Sequence, residues 1–158
     1  DRSVDQLAAR WQAAVPFAAI GAAGTVAGGL VAAITRPTGF ELGSWLAAFL
    51  VLVGGVAQIV LGLGQAWLAA EPPRPTQVKA EAAAWNLGVA ATIAGTLVST
   101  PLLTTLGGLA FAVALGLLLA GVRRARGGGW ALLLYRGIAT IVLLSTPVGV
   151  ALAWVRHG

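Results

Sequence analysis

Any chemistry in this chain would rest on few side chains. Its 158 residues include one His and no Cys. The His is His157, beside the C-terminal residue. A metal site needs clustered His, Cys or carboxylates, and a haem held by two His needs a second His. Neither set is present. Disulfide and thiolate chemistry is excluded with the cysteines. The acids Asp1, Asp5, Glu41, Glu71 and Glu81 fall outside the apolar runs of the sequence or at their edges. Proton-coupled carriers usually set an acid within the membrane. Ser and Thr occur without a base placed to activate them. No catalytic residue, metal or cofactor is expected, and the expected protein is not an enzyme.

Four polar residues inside or beside apolar runs carry the remaining interest. Gln58 falls near the middle of one run, and Gln65 follows seven residues later on the same helical face, about 10 Å further along. Asn86 sits near one end of another run, and Arg136 about two turns into the last. One reading makes them interhelical hydrogen bonds with a snorkelling arginine. The other makes Gln65, Asn86 and Arg136 a polar vestibule that narrows at Gln58. Separately, Arg123, Arg124 and Arg126 precede Gly127-Gly128-Gly129. They suit a basic turn at the membrane surface, in contact with anionic lipid headgroups.

Long uncharged segments must position these residues. They run about 13–35, 44–70, 82–100, 103–122 and 130–155, and Arg136 is the one charge inside them. A bilayer core requires about 20 apolar residues of helix. The expected fold is therefore all-α: a single transmembrane domain over 1–158, with five helices. Charged residues make up 9% of the chain, against about 25% in soluble domains. The net charge of +5 flanks apolar runs instead of forming a basic face, which argues against nucleic acid. The first run is too long for a signal-peptide core and reads as a retained helix. A chain rich in Ala, Gly and Arg, without Met or Cys, reads as the product of a high-GC bacterial gene, placed in the inner membrane.

Basic residues set the orientation. With the N-terminus inside, the inner segments hold Arg2, Arg10, Arg74, Lys79, Arg123, Arg124 and Arg126, against Arg36 and Arg156 outside. Aromatic residues give a second signal, since Trp and Tyr favour the membrane interface. Trp11, Trp67, Trp85, Trp130 and Tyr135 fall near the inner ends, and Trp45 and Trp154 near the outer ends.

The links are short. Arg36-Pro37-Thr38-Gly39 should break the first helix, and Glu71-Pro72-Pro73-Arg74-Pro75 should run extended. A tight turn is expected around Pro101. Pro147 should kink the last helix, with Ser145 and Thr146 re-satisfying the freed backbone groups. Every helix carries small residues at packing spacing. These are Gly21, Gly24, Gly28 and Ala32; Gly54 and Gly62, interleaved with Gln58 and Gln65; Gly88, Ala91, Gly95 and Ser99; Gly108, Ala112, Gly116 and Ala120; and Gly137, Ser145, Gly149 and Ala153, with Ile141 among them.

Gly21–Val31 and Gly88–Val98 share Gly, Ala, Thr, Ala, Gly, Leu and Val in register, at an offset of 67. This suggests a parallel repeat of a helical hairpin, helices one–two and three–four, with a fifth helix added. In the second helices, Ala48-Phe49 would align with Ala110-Phe111 and Gly54 with Gly116. Helix five echoes helix three through Leu143–Pro147 and Leu97–Pro101.

The segment Gly54-Gly55-Val56-Ala57-Gln58 resembles one found in bacterial acetate/succinate permeases, which form six-helix protomers in ring-shaped oligomers. The likeness covers about a dozen residues, and that family's Asn-Pro-Ala-Pro-Leu-Gly signature does not occur here. The functional expectation is an accessory or structural subunit of a larger respiratory or transport complex. Its partners would be membrane lipids and other subunits or further copies of itself. The alternative is a small oligomeric channel or facilitator for a neutral or weakly acidic solute.

Overall fold

The computed structural model describes residues 2–126 and 129–157, the side chains of Arg156 and His157 excepted. Asp1, and Gly127 and Gly128 of the expected basic turn, lie outside the described residues. The described residues form five helices: α1 (Arg2–Thr38), α2 (Gly43–Leu68), α3 (Pro75–Leu97), α4 (Pro101–Gly121) and α5 (Trp130–His157). No strand occurs among the described residues. Helices α1, α2, α4 and α5 are long and apolar enough to cross a membrane. Helix α3 has the length, but Lys79, Glu81 and Asn86 dilute its first half. Of these, Glu81 faces inward and is fully buried. The chain is a multi-pass membrane protein of the all-α class.

Helix ends follow local chemistry. Helix α1 begins well before its apolar run, through the polar segment from Arg2 to Gln12, and continues through Pro37 to Thr38. Pro37 therefore does not break it. The turn falls two residues after it, at Gly39, which takes a left-handed φ of +65° at little steric cost. Arg74 is extended, at φ −67° and ψ 144°, and Pro75 opens α3, where its missing N–H is harmless. Pro101 opens α4 in the same way. Helix α5 runs unbroken past Pro147. Ser145 and Thr146 donate to Val142 O at 2.8 and 3.0 Å, one residue before the carbonyl that a proline at 147 frees.

The sequence repeat has a steric counterpart. A Cβ on Gly55 would strike Thr25 Oγ1 and come within 3.1 Å of Gly21 O. A Cβ on Gly107 would strike Thr92 Oγ1 and come within 3.0 Å of Gly88 O. Likewise Gly21 sits under Ile59, and Gly88 under Phe111. The first helices of the two hairpins correspond at an offset of 67, and the second helices at 52. This corrects the alignment of Gly54 with Gly116, since Gly116 has nothing within 4 Å. The sequence alignment ran through loops of unequal reach. The first hairpin holds 15 more residues beyond its crossing than the second, so each arm stands about two turns, ~10 Å, taller. The echo between Leu143–Pro147 and Leu97–Pro101 is one of sequence only. The former is helical, whereas the latter turns the chain with Ser99 at φ 52°.

Helix α1 packs along α2, α3 along α4, and α5 mainly against α4. The core joins them through Phe17, Leu61, Trp85, Phe111, Leu115 and Leu118. Trp85 is 1% and Tyr135 4% exposed, so neither belongs to an interfacial girdle as expected. Each has a role inside instead. Trp11 and Trp67, 52% and 42% exposed, meet edge to face at 5.7 Å and fit the girdle reading. On α5 the small-residue spacing does not mark a packing face within the chain, because Gly137 and Gly149 have nothing within 4 Å of a Cβ.

Candidate functional site

The middle of α2 is irregular. Residues Leu50–Ala57 wind as a π-helix, a form that in short stretches often marks functional positions. Wider winding leaves carbonyls short of partners, and side chains supply them. Trp85 Nε1 of α3 donates to Val53 O at 3.1 Å, and Gln58 Nε2 to Gly54 O at 2.9 Å. Gln58 Oε1 then accepts from Asn86 Nδ2 at 2.6 Å, and the same amide nitrogen reaches Ala82 O at 2.8 Å. The resulting bonds join the π segment to two consecutive residues of α3, Trp85 directly and Asn86 through Gln58. An unmet carbonyl in lipid costs several kcal/mol, which accounts for polar side chains at this depth.

A second cluster lies one helical stretch further along α2. Gln65 Nε2 and Gln77 Nε2 both donate to Glu81 Oε1, at 2.7 and 2.8 Å. Glu81 is fully buried, and its Oε2 has no partner. The close approach of α4 at Gly121 leaves the room, since a Cβ there would strike the Gln65 amide. The Tyr135 ring from α5 packs on Gly64, and its hydroxyl is buried without a partner. Sequence reasoning left Glu81 at the edge of a span. Its signal was the i, i+4 pair Gln77 and Glu81 on α3, one turn before Asn86, in a sequence whose α2 carries the i, i+7 pair Gln58 and Gln65.

Two arginines close helix ends. Arg10, only 2% exposed, donates to Ala66 O at 2.6 Å, Ala69 O at 3.0 Å and Ala70 O at 3.0 Å. It thereby caps the C-terminal end of α2, where carbonyls lack intrahelical partners and the helix dipole is negative. Arg136 does the same for α4, donating to Val122 O at 3.2 Å. At the same end the α2–α3 and α4–α5 links pair as a two-residue bridge. Ala70 N donates to Arg124 O at 2.8 Å, and Arg126 N to Leu68 O at 2.9 Å.

The structure thus brings Gln58 to Asn86 and Gln65 to Glu81, but directs Arg136 to a helix end. Gln58 and Gln65 are each 1% exposed, so both amides face protein. Arg126 reaches toward Gln6 Oε1 at 3.5 Å, apart from Arg123 and Arg124. Those two line a cavity of about 670 Å³ with Glu71, Arg74, Gln77 and Gly121. Among the described residues no group of three or more His, Cys, Asp or Glu is placed to hold a metal ion. No protein-family model, curated protein or solved structure matches the chain. Fold and site alone define its class, a helical multi-pass membrane protein with an internally bonded polar row.

Proposed function

We propose that this protein is a non-enzymatic accessory or structural subunit of a larger respiratory or transport complex, seated in a bacterial inner membrane with its N-terminus inside. The observation that carries the reading is the bonding of the polar row within the bundle. Gln58 bonds Asn86, Gln65 bonds Glu81, and Arg10 and Arg136 bond helix-end carbonyls. These amide, carboxylate and guanidinium groups bond one part of the bundle to another, while the Ser and Thr hydroxyls mostly bond carbonyls of their own helices. The outward surface is apolar, and α5 has 6% of its most apolar stretch buried. A Cβ on Gly116 of α4 or Gly137 of α5 would meet nothing within 4 Å among the described residues. A glycine in a helix interior costs about 1 kcal/mol relative to Ala, which close approach of a partner helix would offset.

A photo-crosslinking residue at Ile141, 68% exposed on α5, tests this in the native membrane. Adducts with a different polypeptide are expected. Adducts with lipid alone would contradict the reading.

The second reading, a small oligomeric channel or facilitator for a neutral or weakly acidic solute, draws on the π segment that ends beside Gln58. There Gln58 would form the constriction and Arg136 would attract anions. Liposome flux that disappears in Gln58→Leu and Arg136→Ala would favour it, and unchanged flux would remove those residues from any path.

A further inference from the structure

The cavity of about 670 Å³ at the basic end is walled by the two links that the backbone bridge ties together. Its charged lining is Arg74 from the α2–α3 link, Arg123 and Arg124 from the α4–α5 link, and one acid, Glu71. The other arginines nearby are occupied: Arg10 on the carbonyls of Ala66, Ala69 and Ala70, Arg126 near Gln6, and Arg136 on Val122 O. Arg74, Arg123 and Arg124 have no such side-chain partner among the described residues. Three guanidinium groups against one carboxylate leave an excess of two positive charges on a concave wall. Buried Glu81 lies behind Gln77, with one oxygen taken by two amide groups. Its charge opposes an anion, but at one remove from the cavity.

We propose that this cavity is a binding site for a phosphate monoester dianion, held by Arg74, Arg123 and Arg124. A phosphate monoester carries about −1.5 to −2 charges at neutral pH and three acceptor oxygens, and arginine presents paired donors matched to them. The bridge matters because it fixes the two links at one spacing. The backbone that carries the arginines is thus fixed around the cavity before a ligand arrives, which lowers the ordering cost of binding. The chemistry is shared by the headgroup of phosphatidic acid and by free phosphate. The proposal does not rest on what covers α5.

The experiment uses the full chain in a neutral detergent. Its probes are short-chain phosphatidic acid, short-chain phosphatidylcholine and inorganic phosphate, and binding is read by a calorimetric or thermophoretic titration. Saturable binding of phosphatidic acid is expected, with each of Arg74→Ala, Arg123→Ala and Arg124→Ala weakening it about tenfold, as loss of a charge-assisted bond does. Arg36→Ala, at the opposite end, should leave it unchanged. If phosphate also binds and the same variants weaken it, the free anion suffices. If only the lipid binds and the variants weaken it, the lipid is the source. Equal binding of phosphatidylcholine, unchanged affinity in all three variants, or no binding of either phosphate-bearing probe would overturn the proposal. Single substitutions leave the backbone bridge in place, and Arg→Lys versions, expected to retain partial affinity, separate lost charge from misfolding.

Discussion

At the scale of single residues, the interior depends on a few charged and amide groups for which apolar residues could not substitute. Arg10 serves three carbonyls with one side chain. Arg10→Ala should lower stability by about 2–4 kcal/mol, since it leaves several buried acceptors unmet. Arg10→Lys should recover only part of that, because an ammonium lacks the planar fork. Thermal unfolding in detergent measures both. Glu81 gives a sharper contrast. Glu81→Gln keeps an oxygen for the amides of Gln65 and Gln77 and should be nearly neutral. Glu81→Leu strands both donors and should cost about 1–3 kcal/mol for each. The same unfolding assay separates the two; equal costs would show that these bonds contribute little. The sequence located Gln58, Gln65 and Asn86 as polar residues in apolar runs, but not their partners. Periodicity placed Glu81 at an edge, and only the path of α3 through the bundle makes it interior. Arg10 was legible as a topology signal, and its capping role needed the end of α2 folded over it.

At the scale of elements, the helices follow sequence rules closely and the crossings follow glycine. Gly24 lies so near α2 that a Cβ would sit 2.6 Å from Gly54 O. Gly24→Ala should therefore cost about 2 kcal/mol or more through backbone separation. Gly116→Ala meets empty space and should be neutral or stabilising by up to about 1 kcal/mol in the isolated chain. Thermal midpoints of the two variants check the pair, and equal losses would contradict the crossing geometry. The π segment is a second point of dependence. Trp85→Phe removes the donor to Val53 O and should cost about 1–3 kcal/mol. Helix number and approximate spans were readable from hydropathy because the bilayer sets a minimum length. The π winding was not readable, since no local propensity marks it and one of the donors that meet its carbonyls, Trp85, comes from another helix. The repeat was readable in the first helix of each hairpin. Its register in the second was hidden by loops and arms of different length.

At the scale of the whole molecule, one end is basic, hydrogen-bonded and tied by the Ala69–Ala125 bridge, while the other carries the unequal hairpin tips. The chain has no cysteine, so single Cys probes report orientation directly. With the N-terminus inside, Phe40→Cys should react with a membrane-impermeant thiol reagent on intact cells, and Gln6→Cys should not. The reverse pattern would invert the topology. The proposed role in association rests on the apolar perimeter and on the polar row bonded within the bundle. Extraction of the native particle in mild detergent, followed by determination of its mass and polypeptide composition, tests that claim most directly. The account predicts a particle holding this chain with different membrane subunits. A particle containing this chain alone, with a conductance of its own in bilayers, would contradict it.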